Sequence, residues 1–216
     1  LAVFGSGAGT NLEALIEAKD ESYSISAAFA DRECRFLEIA KKNGIAPLLL
    51  PFDAYFEKRG HEDRKCPAAR ASYDQKILEL IAPYSPDLIV LAGYMRILTP
   101  HFIASYRSRI INVHPADLAA HDEKGNRKYI GADGIKKALK DGARKTRSTV
   151  IIVDEEVDHG EIVTFGPWVE YTEGAPLTKE KIREHQNKQK RESDWPALIE
   201  AVRLFSNKGK PSCVAS

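Results

Sequence analysis

A chain of 216 residues is long enough to bury one sizeable core, and at roughly 100 to 200 residues per domain it predicts one domain, not two full ones. Lysine plus arginine (32) nearly cancels aspartate plus glutamate (31), so no global field points to nucleic acid or to a membrane surface. Cys34, Cys66 and Cys213 are odd in number and lack metal-ligand spacing, which fits free thiols in a reducing compartment.

The opening Leu1-Ala2-Val3-Phe4-Gly5 has no basic leader and turns glycine-rich at once, so it reads as the interior of a first strand and not as a signal peptide or anchor. The longest apolar run, Leu88 to Met95, is far short of the roughly 20 residues of a spanning helix. A soluble cytoplasmic protein is expected. After the strand, Gly5-Ser6-Gly7-Ala8-Gly9-Thr10-Asn11 feeds a helix over Leu12 to Lys19, with Leu12, Leu15 and Ile16 at helical spacing. Strand, glycine loop and helix together leave backbone N–H groups free for an anion such as phosphate. Ile25 to Ala30 reads as a second strand closing on Asp31, Arg35 to Lys42 as a helix stopped by Asn43-Gly44, and Leu48 to Leu50 as a third strand stopped by Pro51. Alternating strands and helices predict parallel crossovers. Asp31 lies about 20 residues past the glycine loop, where a nicotinamide-nucleotide enzyme carries its ribose acid, although the third glycine of that fingerprint is here Thr10.

Asp53 to Pro67 is charged and reads as an irregular excursion before a helix over Ala68 to Tyr84, whose apolar face is Tyr73, Ile77, Leu80 and Ile81. Arg70 in its first turn opposes the helix dipole, so it is either solvated, which composition favours, or reserved for an anionic partner. Leu88 to Ala92 has the unbroken apolar character of a strand buried on both faces. Gly93 to Leu98 then either plugs the end of the sheet or lines a slot for a flat aromatic ligand, before Thr99-Pro100 opens another helix.

Arg109-Ile110-Ile111-Asn112-Val113-His114-Pro115 is a strand that ends in an amide and an imidazole two residues apart, which a period-two backbone points to one side. Such a pair suits proton transfer and oxyanion stabilisation; a core histidine beside a turn asparagine is the alternative. Ala116 to Tyr129 is polar and aperiodic, and reads as a mobile loop placed to act as a lid, with His and Asp residues only loosely like a metal cluster. A helix over Gly134 to Lys140 and a strand over Ser148 to Val153 lead into Asp154-Glu155-Glu156-Val157-Asp158-His159-Gly160. This acidic turn is expected near the strand of His114, where Asp158 can orient the imidazole. Glu161 to Tyr171 reads as an edge strand, Lys179 to Arg191 as a basic helix, Asp194-Trp195-Pro196 as the start of a last one, and the end beyond residue 206 as frayed.

Taken together, Gly7 to Leu12 with Ala14-Leu15-Ile16, Leu91 to Leu98, Asn112 to Pro115 and Asp154 to Gly160 closely resemble the folate-dependent phosphoribosylglycinamide formyltransferase family over nearly the whole chain. The resemblance implies a single-domain α/β fold over residues 1–206: a doubly wound, mostly parallel, Rossmann-like sheet with helices on both faces. It implies that Asn112, His114 and Asp158 are catalytic, and that Gly9, Thr10 and Asn11 hold the phosphate of glycinamide ribonucleotide, with Glu184 as the late glutamate that contacts it. Arg70, Met95, Arg96, Ile97, Leu98, Asn112 and the turn Asp154, Glu155, Glu156, Val157 and Asp158 are implied to bind the folate. The co-substrate implied is 10-formyltetrahydrofolate, with no metal, no nucleic acid and no membrane, in a monomer or homodimer serving purine biosynthesis.

Two stretches depart from that family's pattern. Its His-Pro usually continues as Ser-Leu-Leu-Pro and a short glycine-containing loop, where this chain has Ala116-Asp117-Leu118-Ala119-Ala120 and a longer charged stretch, and Gln186 to Asp194 is longer than typical. Related formyl-handling enzymes differ elsewhere. Methionyl-tRNA formyltransferase adds an RNA-binding domain and formyltetrahydrofolate deformylase a regulatory one, and the deformylases have His where this chain has Pro115, so transfer to an amine is expected over hydrolysis. The rival from another class is a nicotinamide-dinucleotide-binding oxidoreductase, or a non-catalytic binder of phosphorylated metabolites, built on the glycine loop and Asp31.

Overall fold

The computed structural model describes residues 1–58, 64 and 66–208, and its chain forms two compact units, Leu1–Ile111 and Asn112–Ser216. In the first unit, β1 (Ala2–Gly5), β2 (Ala27–Ala30) and β4 (Ile89–Leu91) are fully buried strands of small, branched and aromatic residues. The edge strand β3 (Ala46–Leu49) is half-buried and tolerates Pro47, whose missing N–H would break a central ladder. β1 pairs in parallel with β2 and β4, and β2 with β3. Among the described residues one sheet joins seven strands in the order β3-β2-β1-β4-β5-β7-β8, where β5 is Ile110–His114, β7 Thr149–Ile152 and β8 Ile162–Phe165. This is the mostly parallel α/β sheet expected of alternating strands and helices. Within this sheet β8 runs antiparallel to β7, with a register shift at Val150 and Ile151.

The helices of the first unit are α1 (Thr10–Glu17), α2 (Arg35–Lys42), α3 (Phe52–Lys58), α4 (Pro67–Ile81) and α5 (Pro100–Ser105). Phe4, Phe29, Tyr94 and Phe102 meet edge-on over β1, with ring centroids 4.9 to 5.9 Å apart. Aromatic pairs in this geometry add about 0.5–1.5 kcal/mol each beyond area burial. α3 corrects the expectation of an irregular excursion. Phe52, Tyr55 and Phe56 recur at helical spacing and pack on Tyr73 of α4, a pattern hidden among charged neighbours. The rest of that stretch, residues 59–63 and 65, lies outside the described residues. The α4 helix also stops three residues sooner than expected, because Pro83 cannot donate to an α-helical ladder and Ala82–Tyr84 tightens to a 3₁₀ turn.

The second unit adds α6 (Gly134–Lys140), β6 (Lys145–Thr146), β9 (Val169–Glu170), α7 (Lys179–Gln189) and α8 (Trp195–Lys208). Ile135, Leu139 and Ile182 form a core cluster that Tyr171 and Leu177 cover. The single edge strand expected over Glu161 to Tyr171 is instead divided at Gly166-Pro167, and its second half pairs with β6 as a separate two-stranded ladder. Gly166 lies so close to Ser193 that a Cβ there would meet its Oγ at 2.2 Å. The two C-terminal helices are not separate either. A π-turn over Lys190–Asp194, in which the Trp195 N–H reaches the Lys190 carbonyl, joins α7 to α8. The last helix runs to Lys208, past the expected point of fraying; residues 209–216, Cys213 among them, lie outside the described residues. Among the described residues, no helix is long and apolar enough to cross a membrane.

Candidate active site

In the first unit the glycine loop is held by its neighbours. Gly9 adopts φ 76° before α1, and a Cβ there would meet the Phe36 backbone at 2.9 Å, so only glycine fits. Residues Thr10 and Asn11 therefore start an eight-residue helix whose leading N–H groups have no intrahelical partner. Asn11 is buried, and its Oδ1 has no hydrogen-bond partner among the described residues. The Ser6 N–H donates to the Gly93 carbonyl at 3.2 Å and the Met95 N–H to Ser6 Oγ at 3.2 Å, which ties the glycine loop to the Gly93 to Leu98 segment.

That segment presents Met95 (70% exposed) and Ile97 (65%) outward while Leu98 is buried. Large apolar side chains this exposed, next to fixed polar backbone, line a surface suited to a flat apolar ligand. Arg70 is not merely solvated. It donates to the Ile97 carbonyl, and its guanidinium lies 5.0 Å from the Phe52 ring centroid. Arg96 lies 4.0 Å from the same ring and donates from Nε to Asp31 Oδ2 at 2.7 Å.

The role the nicotinamide reading gives Asp31 is corrected by its surroundings. Its side chain is fully buried, and Arg32 and Arg96 occupy its oxygens. Burial alone would push this carboxyl up, but hydrogen bonds from Arg32, Ser6 and Arg96 with the Arg32 charge outweigh it and hold it below the usual range. No carboxylate oxygen is left for a ribose diol.

In the second unit, β5 places Asn112, half-buried, and His114, buried, on one face two residues apart. His114 Nδ1 lies 3.3 Å from Asp158 Oδ2, and His114 Nε2 donates to the Tyr129 carbonyl at 2.8 Å. A carbonyl only accepts, so the Nε2 of His114 carries the proton of this hydrogen bond. Asp158 is the buried member of the acidic turn, while Asp154, Glu155, Glu156 and Val157 are exposed. Its backbone is left-handed, φ 60°, and its Oδ2 also accepts from the Gly131 N–H at 2.7 Å. The structure thus brings Asn112, His114 and Asp158 to one place in this unit.

Glu184 stands exposed on α7, beside a buried His185 that contacts Thr146 Oγ1 at 2.7 Å. Burial lowers the His185 pKa. The start of the stretch after Pro115 is hydrogen-bonded to its neighbours. Gln189 Nε2 donates to the Pro115 carbonyl at 3.0 Å, Thr149 Oγ1 donates to the Ala116 carbonyl at 2.8 Å, and Asp117 pairs with Arg147 at 3.1 Å. The residues about the His114–Asp158 pair that sequence reasoning missed are Tyr129, Gly131 and Gly134. Tyr129 and Gly131 act through backbone atoms, which leave no side-chain signal. Gly134 is the one a pattern could have flagged, as a glycine opening a helix.

Comparison with known proteins adds to this geometry. Residues 1–166 match the family model described as formyl transferase. The chain is 32% identical over 167 residues to the phosphoribosylglycinamide formyltransferase of Escherichia coli (strain K12), covering 76% of this chain and 69% of that protein. It is 30% identical over 214 residues to the enzyme of the same name from Bacillus subtilis (strain 168), covering 97% of both. Among solved structures, glycinamide ribonucleotide transformylase 1 from Symbiobacterium toebii superposes with a TM-score of 0.78 at 26% identity, covering 100% of this chain and 93% of that one.

Proposed function

Since the chain belongs to the formyl transferase family, we propose that it transfers the formyl group of 10-formyltetrahydrofolate to the amine of glycinamide ribonucleotide, as a phosphoribosylglycinamide formyltransferase. The observation that carries this reading is the buried His114–Asp158 pair at the end of β5 with Asn112 two residues before it. The neutral amine attacks the formyl carbon, the carbonyl π pair moves to oxygen, and a tetrahedral centre with an oxyanion forms. The Asn112 amide and the His114 imidazolium stabilise that oxygen, the imidazolium through its Nε2 proton once the Tyr129 carbonyl yields it. Asp158 holds the imidazolium by its Nδ1 proton. A proton then passes from the attacking nitrogen to the folate nitrogen, directly or through water, and the bond from carbon to that nitrogen breaks as the carbonyl re-forms. Nothing is oxidised or reduced and no covalent enzyme intermediate arises.

Gly9, Thr10 and Asn11 at the start of α1 are assigned to the ribonucleotide phosphate, on the strength of the free helix N–H groups. The exposed Met95 and Ile97, with Arg70, Arg96 and Leu98, are assigned to the folate, together with the acidic turn Asp154 to Asp158. Glu184 is assigned to the ribonucleotide by resemblance alone. The test follows folate product spectrophotometrically with glycinamide ribonucleotide as acceptor. Product is expected only when the acceptor is present and the enzyme carries His114; no turnover with this acceptor refutes the reading, and turnover without any acceptor makes the protein a hydrolase.

A further inference from the structure

The charged stretch after His114-Pro115, which departs from the resembled family, forms a hydrogen-bonded hairpin. The Lys128 N–H donates to the Ala120 carbonyl at 2.8 Å and the Asp122 N–H to the Asn126 carbonyl at 2.9 Å, with a β-bridge between His121 and Arg127. The Asp122 carboxylate closes the tip by accepting from the N–H groups of Lys124 and Asn126, each at 2.9 Å, while Gly125 takes φ 81°. Lys128 Nζ anchors the base to Asp141 Oδ2 at 2.7 Å. Side-chain capping of this kind needs no hydrophobic period, so an aperiodic polar run can still be ordered.

The hairpin delivers one side chain to the acidic turn. Arg127 Nη1 donates to the Asp158 carbonyl at 2.9 Å and to the Gly160 carbonyl at 2.8 Å. Both carbonyls belong to the bend that holds Asp158 at φ 60°, the left-handed region that few residues with a side chain adopt. Gly160 makes the same bend tight from the other side, since a Cβ there would fall 1.7 Å from the Ile152 carbonyl oxygen. From this backbone the Asp158 carboxylate points toward His114 Nδ1 and the Gly131 N–H.

The geometry points to Arg127 as a positioning residue: its guanidinium sets the Asp158 bend and through it the orientation of the His114 ring. This rests on the formyl-transfer reading for its effect on rate, but not for its effect on the ring. In the full chain, Arg127→Ala is expected to lower kcat about tenfold or more with both KM values within about twofold, the signature of an interaction that matters in the transition state. In an Asp158→Ala background, Arg127→Ala is expected to change kcat less than about twofold, since coupled residues are not additive. Losses that simply multiply across the double-mutant cycle overturn the proposal, because they mean that Arg127 only braces the hairpin. Independently of turnover, nitrogen NMR of the His114 ring is expected to show the Nδ1 resonance displaced in Arg127→Ala; an unmoved resonance also overturns it. If wild-type protein shows no transfer, the functional reading fails while the NMR comparison still decides the positioning role. Should Arg127→Ala not fold, Arg127→Gln, with an amide donor of shorter reach, carries the same comparisons.

Discussion

Replacing Gly134 by alanine would set a methyl group against the His114 imidazole. An ideal Cβ at this position lies 2.7 Å from Ala116 Cβ, 2.9 Å from the Tyr129 carbonyl oxygen and 3.1 Å from His114 Nε2, where carbon contacts ordinarily relax near 3.5–4.0 Å. Two effects of opposite sign compete. Gly134 opens α6, and alanine there recovers at most about 1 kcal/mol of helix propensity. Against this stand roughly 1–3 kcal/mol of overpacking and about 0.5–1.5 kcal/mol for the hydrogen bond from Nε2 to Tyr129 if it parts. The contact that must give is backbone on one side and a short Cβ on the other, not the far end of a flexible chain, so the unfavourable effects win. A net loss of about 1–3 kcal/mol corresponds to a fall in Tm of roughly 2–12 °C for a chain this long. The imidazole has to move by several tenths of an ångström as well. Because a misplacement of about 1 Å can cost on the order of 100-fold in rate, kcat should fall about 10- to 100-fold. Thermal melting and the formyl-transfer assay read the two effects separately. A variant that melts higher than wild type with kcat unchanged would show that helix propensity governs this position and that the ring is not packed against it.

Asp31→Asn removes the charge that holds Arg96 beside Phe52, and should destabilise the protein by about 1–3 kcal/mol at neutral pH. Since the folded pKa of Asp31 is depressed, its contribution is complete above the unfolded carboxyl pKa and is lost as pH falls through the folded one; denaturant midpoints of variant and wild type should therefore converge in acid, and a constant gap contradicts the assignment. Asp194 behaves in the opposite sense. Burial raises its carboxyl pKa despite hydrogen bonds from Ser148 and Gln189, so its contribution to stability declines as pH rises through the window between the unfolded and folded values. Asp194→Asn keeps an acceptor for Ser148 without the charge, and its stability relative to wild type should grow with pH across that window; a pH-independent difference rejects this. For the reaction itself, kcat/KM for the amine should fall in acid as the attacking nitrogen protonates. With an amine pKa of about 8, on the order of one molecule in a thousand is neutral at pH 5, so a profile flat to that pH rules out direct attack by the neutral amine.

Where the chain announces its own geometry is instructive. α2 and α6 have the bounds that their amphipathic patterns and following glycines predict, because Gly44 and Gly142 take the positive φ of a helix stop, 69° and 85°. β5 ends where Pro115 must end it, so Asn112 and His114 were legible as a same-side pair, and Asp158 stood out as an acid at a sharp bend. The environment of that pair was not legible. Tyr129 and Gly131 touch it through main-chain atoms, and the hairpin that carries Arg127 is ordered by the Asp122 carboxylate and not by burial of an apolar face. Asp31 misled in another way. Its spacing from the glycine loop suits a ribose ligand, but of the two arginines that consume it Arg32 is its sequence neighbour, and Arg96 is revealed only when it is brought back beside β2 by the parallel crossovers. α3 stayed hidden because its three aromatics stand beside charged residues, Asp53, Glu57 and Lys58, so a compositional reading weighs the charges and a positional one the rings.

The widened turn over Lys190–Asp194 changes how roles can be transferred along this chain by arithmetic. In an ordinary α-helix each residue advances the azimuth by about 100°, and a turn that takes in one extra residue leaves everything upstream out of phase by about that angle. Glu184 and His185 sit on α7 one step apart, the first in solvent and the second in the interior. Counting backwards from Trp195-Pro196 as though the winding were uniform would exchange them, assigning to a solvated carboxylate the station of an enclosed imidazole. For this segment, equivalence between relatives has to be established by superposing coordinates and not by matching positions in a string.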